Sequence, residues 1–543
     1  MSDNRQRIII KVFRKFSNSL GPDALETIER ILDEHEIADE DIESSLETLA
    51  KEYNKQDDAT MKVSVEVLNR VYESLQDQGE RTQEEKEVID PENHLFFIDA
   101  FDMPRWTWSP ERGTFEKSQT PSTSSGTPES RSTAVRDRLH IIKQCVLRNE
   151  HFAPSTLPSR DREKLVTLRS TKQLLGRFGE RFLLLGMLAY NKEGKLCLED
   201  ADGVVELDFS TLDEPGDGLF TEGCFALVEG QYTEEATLQI VAIGQPPCEP
   251  RLTSRSIYGH IDFLGKGATS LLEDVQFRRR VNEELPNLNF FFLSDVWLDN
   301  PQTMPGIHRM FDNCIENDYI PKVIVMCGNF TSKSISHGSG RDVQRYQDNF
   351  DALADLIASY PVITRHTHFV FVPGPLDITV NSTLPQRPLL STIVGRLKSK
   401  VPKVHFATNP CRIKFFDQEI VIFREDLMAK MLRNVVGPGV KPDVKGEYLK
   451  RFLVQSILDQ SHLCPLTINV QPVLSDYAHS LRLYPLPTVL VLADKYEGYK
   501  VTYAGCHVFN PGRFVGKSLV FSTYTPAEMN SEECVMNMDT EED

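Results

Sequence analysis

Five short apolar runs in the second half of the chain constrain its fold more than any other feature. Phe290-Phe291-Phe292-Leu293 gives way to Ser294-Asp295-Val296-Trp297-Leu298-Asp299, and Val323-Ile324-Val325-Met326-Cys327 to Gly328-Asn329-Phe330. Phe369-Val370-Phe371-Val372 runs into Pro373-Gly374-Pro375-Leu376-Asp377. Glu419-Ile420-Val421-Ile422-Phe423 runs into Arg424-Glu425-Asp426, and Val489-Leu490-Val491-Leu492 into Ala493-Asp494-Lys495. Runs this short, with almost no polar interruption, read as strands buried on both faces. Helical stretches at 342–358 and 447–459 lie between them, so the region is expected to be a layered α/β domain, assigned here to 256–524. In such folds the carboxyl ends of the strands are where ligands and metals sit.

The first half is built differently. Ile9, Val12, Phe13, Phe16 and Leu20 recur at helical spacing, as do Ala24, Leu25, Ile28, Ile31 and Leu32. Ile42, Leu46, Leu49 and Tyr53 make a third stripe, and Val65, Leu68, Val71, Tyr72 and Leu75 a fourth. These predict an all-helical domain over 1–77, read first as a plain helical bundle; the alternative is an acidic docking module with Asp33-Glu34 and Asp39-Glu40-Asp41 on its loops or outer faces. Residues 78–135 read as linker. Within them are a strand-like run, Leu95–Phe101, and an aromatic cluster, Trp106 and Trp108, suited to packing on the next domain. The Ser/Thr-rich stretch 117–133 is expected to be disordered. A helix carrying Val135, Leu139, Ile142 and Val146 should follow. Five short strands over 172–245, two of them flanking the turn Ala201-Asp202-Gly203, predict a small OB-type barrel. Helix and barrel together are assigned to 136–255, and 525–543 to an acidic tail.

The formal net charge of -20 over 543 residues repels phosphate backbones, which argues against strong unaided grip on nucleic acid. The compact basic cluster Arg278-Arg279-Arg280 reads as a solvated helix face. The ten cysteines form no Cys-x-x-Cys pair, which suits a reducing compartment and excludes a zinc ribbon. No apolar run is long enough to span a bilayer, and the polar amino terminus has no secretory core.

The order of strand-end loops resembles that of calcineurin-like phosphoesterases, which hold two cations with Asp, Asn and His ligands of the forms DxH, GDxxD, GNH(D/E), a lone H and GHxH. Here the first motif is Asp295-Val296-Trp297, with Trp in place of His. The second is Gly328-Asn329, an amide in place of the bridging carboxylate. The third is Gly374-Pro375-Leu376-Asp377, without the Asn and His. The last falls at Leu492-Ala493-Asp494-Lys495, where a lysine opposes a cation. His462 reads as a helix-terminal or core-edge histidine with a backbone partner. His366 and His368 precede a strand and alternate on its faces, so they are not expected to converge, and His507 looks like a strand position. No catalytic, cofactor-binding or metal-ligating set is therefore expected, leaving Asp295, Asn329 and His462 as the remnants from which a single-ion site could be assembled.

As a whole the chain resembles the B subunits of replicative DNA polymerases, which pair an OB fold with an inactivated phosphoesterase domain. The resemblance rests on Phe291–Asp299, Cys327-Gly328-Asn329-Phe330, Phe369–Pro375, Thr408-Asn409-Pro410-Cys411-Arg412-Ile413, Phe423-Arg424-Glu425-Asp426-Leu427 and Asn510-Pro511-Gly512, with the hairpin Leu198-Glu199-Asp200 and Gly203 in the barrel. It implies a multidomain α/β chain: an N-terminal all-helical domain like the lid of AAA+ ATPases, an OB-fold β-barrel, and a C-terminal calcineurin-like phosphoesterase-type α/β sandwich. No Walker-type loop accompanies the lid-like helices. The resemblance further implies a non-catalytic nuclear subunit. The zinc-binding C-terminal region of a large catalytic subunit would dock on barrel and sandwich. Small histone-fold subunits would join through the complex. The N-terminal helices would reach the GINS part of the replicative helicase, and any DNA contact would be weak or indirect. Two other classes compete with this expectation. One is a working dinuclear-metal phosphoesterase or nuclease built on Asp295, Asn329, Asp377 and His462. The other is an OB-fold module that binds single-stranded DNA.

Overall fold

In the computed structural model the described residues are 2–536, apart from 17, 35–41, 57–59, 82–88, 153–166, 213, 215, 336–338, 380–381, 438, 440–443 and 517. They divide into two compact units. The first comprises residues 1–95, 255–262 and 266–284, and the second the remainder.

The first unit begins with four amphipathic helices, Ser2–Lys15, Pro22–Glu34, Ile42–Asn54 and Val65–Arg81. Their apolar stripes close one core containing Ile9, Val12, Phe13, Ile28, Leu46, Tyr53, Leu68 and Val71. The acidic positions Asp39-Glu40-Asp41 lie outside the described residues. The helix Leu271–Glu284 also belongs to this unit: Lys51 Nζ pairs with Glu273 Oε2 at 2.7 Å, and Phe16 meets the His260 ring edge-on at 6.0 Å. The expected start of the sandwich at 256 is therefore corrected, because 255–262 and 266–284 pack with the N-terminal helices. On the same helix Arg279 and Arg280 are paired with Glu283 and Glu284 one turn on, as a solvated face requires.

The second unit holds a barrel and a sandwich. The barrel strands are Arg181–Tyr190, Leu196–Glu199, Val204–Asp208, Phe225–Tyr232 and Thr237–Gly244. The first pairs with both the second and the fourth, and the fifth lies between the third and fourth, which closes the sheet. Asp200 makes the predicted hairpin turn by accepting from the amides of Asp202 and Gly203 at 2.8 and 3.0 Å.

The sandwich contains two six-stranded sheets. One is ordered Val404–Phe406, His368–Val372, Val323–Cys327, Phe290–Leu293, Leu519–Thr525, Asn530–Met536. The other is ordered Leu95–Asp99, Cys411–Phe415, Gln418–Arg424, Val489–Ala493, Cys506–Asn510, Tyr499–Tyr503. The Phe290–Leu293 run explains the layering. Alternate side chains point to opposite faces: Phe290 and Phe292 meet Phe415 and Phe509 of the facing sheet, at 5.3 and 5.2 Å between ring centres. Phe291 and Leu293 instead join Ile307, Met310 and Phe350 from the helices Thr303–Glu316 and Gly340–Ala358. The helix Glu447–Asp459 covers the second sheet through Leu453 and Ile457.

Three further expectations are corrected. Residues 95–135 are not a plain linker, and 117–133 is not disordered. Leu95–Asp99 adds an edge strand to the second sheet, Trp106–Ser109 and Thr114–Lys117 form a hairpin, and the following helix starts at Pro128. The polar stretch before that helix is held by polar partners. Thr123 donates through its amide and hydroxyl to Asp476 Oδ2, both at 2.9 Å, and Tyr477 donates to Ser122 O. Hydrophobicity alone is blind to such anchoring. Trp106 and Trp108 pack on Phe263 and Phe115. The expected tail from 525 also carries structure: Asn530–Met536 is an antiparallel edge strand whose Glu532 and Glu533 suit a sheet margin. Residues 537–543 lie outside the described residues.

Candidate functional site

The ends of the central strands converge on one side chain that the motifs do not single out. Arg424 closes the strand Gln418–Arg424 and is wholly buried. Its Nη2 donates to Asp295 Oδ1 at 2.7 Å, and its Nη1 to Asp426 Oδ1 at 2.9 Å and Ala493 O at 3.2 Å. Its Nε donates to Gly328 O. One guanidinium thus ties together the ends of four central strands. Burial alone would lower the Arg424 pKa, but Asp295 and Asp426 outweigh it and hold the group above its ordinary value.

Asp295 is 1% exposed and sits in the left-handed region at φ 51°, a position that Asp tolerates better than most residues. Besides Arg424, its Oδ1 accepts from the Asn329 amide at 3.2 Å and from Asn329 Nδ2 at 3.0 Å. Asn329 Oδ1 accepts from the Leu376 amide at 2.8 Å, so both ends of this amide are used in joining loops. Trp297, at the place of the motif histidine, lies under the Arg513 guanidinium, 4.7 Å from its carbon, and Arg513 Nε is 3.9 Å from Asp295 Oδ2. Gly328 and Gly374 permit this convergence. A Cβ on Gly328 would lie 1.9 Å from Asp377 Oδ2, and one on Gly374 would lie 2.8 Å from the Asn329 amide nitrogen.

Asp377 accepts from the Phe330 amide, the Tyr346 hydroxyl and the Gly374 amide at 2.8, 2.9 and 2.8 Å. Burial nevertheless pushes its carboxyl up to about 6. Below pH ~4 the group is protonated in both folded and unfolded chains; between ~4 and 6 only the unfolded chain ionises, which favours unfolding; above ~6 the loss is complete. Relative to Asp377→Asn, the wild-type chain should lose up to about 3 kcal/mol of stability between pH 4 and 7. Denaturant titrations of both proteins at several pH values measure this, and a gap independent of pH would refute it.

The other singled-out residues are dispersed. Lys495 is half-exposed and pairs with Asp426 at 3.2 Å. Asp494 caps neighbouring loops by accepting from the amides of Met428 and Tyr496. His462 is buried with its Nδ1 3.1 Å from both the amide and the carbonyl of Cys464, so its ring is engaged there and not with Asp295 or Asn329. His368 Nδ1 lies 3.1 Å from His405 Nε2, whose ring stacks on Phe97, and His507 bonds Ser531. Among the described residues no group of three or more His, Cys, Asp or Glu is gathered to hold a metal ion. Arg424 was legible in one respect: a buried aspartate with no metal-ligating set around it requires another cation.

A closed OB-type barrel joined to a sandwich whose strand ends are bridged by arginine defines a class of B-subunit-like platforms, and comparison with known proteins agrees. Residues 290–501 match the family of B subunits of DNA polymerases alpha and epsilon, and residues 128–247 match the DNA polymerase epsilon subunit 2-like OB-fold domain. The chain is 37% identical to DNA polymerase epsilon subunit 2 of Mus musculus over 451 residues, covering 81% of this chain and 83% of that one. It is 33% identical to the DNA polymerase epsilon B subunit of Schizosaccharomyces pombe, covering 79% and 74%. Among solved structures, an archaeal phosphodiesterase aligns with 46% of this chain and 100% of its own at 9% identity and a TM-score of 0.24, too slight a likeness to carry an argument. The chain belongs to the DNA polymerase epsilon subunit 2 family, the accessory B subunits of that polymerase.

Proposed function

We propose that this chain is a non-catalytic platform of a nuclear DNA polymerase epsilon holoenzyme. The observation that carries the reading is the Arg424 guanidinium bridging Asp295, Asp426 and the carbonyls of Gly328 and Ala493. A hydrolase of this design needs paired cations at the strand ends to activate water and neutralise a phosphoryl oxygen. A fixed guanidinium supplies charge there, but no open coordination position. In this reading barrel and sandwich hold the zinc-binding C-terminal region of the catalytic subunit, which supplies the chemistry, and the small histone-fold subunits join through the complex. The N-terminal helices, lid-like in the manner of AAA+ ATPases, reach the GINS part of the replicative helicase. Two docking modules on one chain raise the effective concentration of one partner near the other.

The test has two arms. Purified full-length chain should carry no stoichiometric Mn, Fe or Zn and should not turn over a phosphodiester with added Mn²⁺. It should also co-purify with the C-terminal region of the catalytic subunit. Two bound ions with turnover lost on Asp295→Ala would overturn the non-catalytic reading, and failure of the pair to co-purify would overturn the platform reading.

A further inference from the structure

A second cluster of charge lies away from the strand ends, where the helix Pro128–Arg148 faces the turn Gln460-Ser461-His462 and the 3-10 helix Ser475–Leu481. These elements enclose a cavity of about 30 Å³ lined by Arg105, Arg138, Arg482, His462, His479 and Thr133, among others. That is room for about two or three water-sized spheres, the size of one small oxyanion. Arg105 lies 3.6 Å from Asp476, and Arg482 lies 3.7 Å from Asp137. Arg138 is different. Its Nε and Nη2 are shielded from solvent, and among the described residues no protein group accepts from either. The Phe225 ring lies 5.2 Å from its guanidinium carbon, and Cys224, Cys464 and His462 are close enough to feel its charge. Burial pushes its pKa down to about 10, so it stays a cation at neutral pH.

The unused atoms define what would fit. Nε and Nη2 form the edge of a guanidinium that grips two oxygens side by side. The same helix shows this grip in use: Arg148 holds Glu249 through Nε at 2.7 Å and Nη2 at 2.9 Å. Across the cavity, His479 Nε2 lies 3.1 Å from Met103 O and must donate to it. Burial holds this ring neutral, with its pKa down to about 4, so with Nε2 donating Nδ1 is an acceptor; the backbone of Asp476 beside the ring offers it no proton, and among the described residues Nδ1 has no protein donor. Two orphan donors and one orphan acceptor call for a species that offers two oxygens and one O–H.

We propose that this cavity is a binding site for one free hydrogen phosphate ion, two of whose oxygens are held by Arg138 Nε and Nη2 and whose hydroxyl donates to His479 Nδ1. Sulfate and chloride meet the charge of Arg138 but bring no donor for His479. A bound ion links a helix preceding the barrel to a turn and a 3-10 helix of the sandwich, and so braces that junction.

Calorimetric titration of the full-length chain with inorganic phosphate, at fixed ionic strength and pH 7.5, tests the proposal. Saturable binding is expected, with sulfate at least ten-fold weaker. Arg138→Gln should weaken phosphate at least ten-fold while melting no lower than wild type, because it removes an unpaired buried charge. Crystals grown in arsenate, which carries the same hydroxyl and scatters anomalously, should show one peak within hydrogen-bond reach of Arg138 Nε and Nη2, and this arm does not depend on the variant folding. Equal affinity for sulfate, unchanged binding by Arg138→Gln, tighter binding of a phosphoserine peptide than of the free ion, or water alone beside Arg138 in arsenate crystals would each overturn it.

Discussion

Arg424→Met is expected to destabilise the folded chain by about 3–5 kcal/mol, the usual consequence of stripping one partner from a buried ion pair. Methionine fills much of the same volume, so the loss is electrostatic rather than a cavity. Asp295 is 1% exposed and, among the described residues, keeps only the two donors of Asn329 close by, with Arg513 at 3.9 Å. Asp426 fares better, since Lys495 already reaches it from the solvent side. The carbonyls of Gly328 and Ala493 lose a donor as well. Adding Asp295→Asn to Arg424→Met should restore at least half of the loss, because the buried charge disappears while an oxygen acceptor for Asn329 remains. Denaturant unfolding of the wild type, both single variants and the double variant closes the cycle. A single-variant loss below about 1 kcal/mol, or a double variant no more stable than Arg424→Met, would show that the guanidinium does not hold the strand ends together.

The strands of the sandwich were readable because nothing competes with their apolar runs. Phe290–Leu293 is buried at every position and forms the strand its composition demands. The helical stripes of the first 77 residues were readable for the same reason, since each buried position repeats at helical spacing. What escaped depends on partners distant in the chain. Residues 118–127 are polar and fix their shape through Asp476 and Tyr477, roughly 350 positions later, which no local window can register. The helix Leu271–Glu284 was assigned to the domain nearest in sequence but pairs with Lys51. At the candidate site, the absence of imidazoles from the strand-end motifs was plain in the sequence, whereas the identity of the cation beside Asp295 was not. Lys495 was read as the charge opposing metal, yet its flexible stem leaves it half-exposed, and the buried position went to Arg424, whose planar fork serves several acceptors at once.

Gln460→Ala is expected to loosen the join between barrel and sandwich, with a loss of about 3 kcal/mol from two buried backbone groups left without partners. Gln460 follows the helix Glu447–Asp459 and is 1% exposed. Its Oε1 accepts from the Phe225 amide at 2.7 Å, and its Nε2 donates to Phe225 O at 2.6 Å and to Gln245 Oε1 at 2.8 Å. One side-chain amide therefore completes both backbone groups at the start of the barrel strand Phe225–Tyr232. Two nearby bonds run the same way, from the Leu219 amide to Ser456 Oγ and from Thr221 Oγ1 to Pro465 O, both at 2.7 Å. Each involves a single backbone group, so Ser456→Ala should lose less, about 1–2 kcal/mol. Gln460→Glu should also destabilise, because a carboxylate can accept from the Phe225 amide but cannot donate to its carbonyl. Hydrogen exchange at the Phe225 amide should accelerate in Gln460→Ala, while amides in the centre of the sandwich, such as those of Phe291 and Ile324, hold their rates. If exchange at Phe225 is unchanged and stability falls by less than about 1 kcal/mol, the barrel is not fastened through this residue. A rigid two-domain platform would then have to rest on the remaining contacts of the join, chiefly the Arg148–Glu249–Tyr484 network.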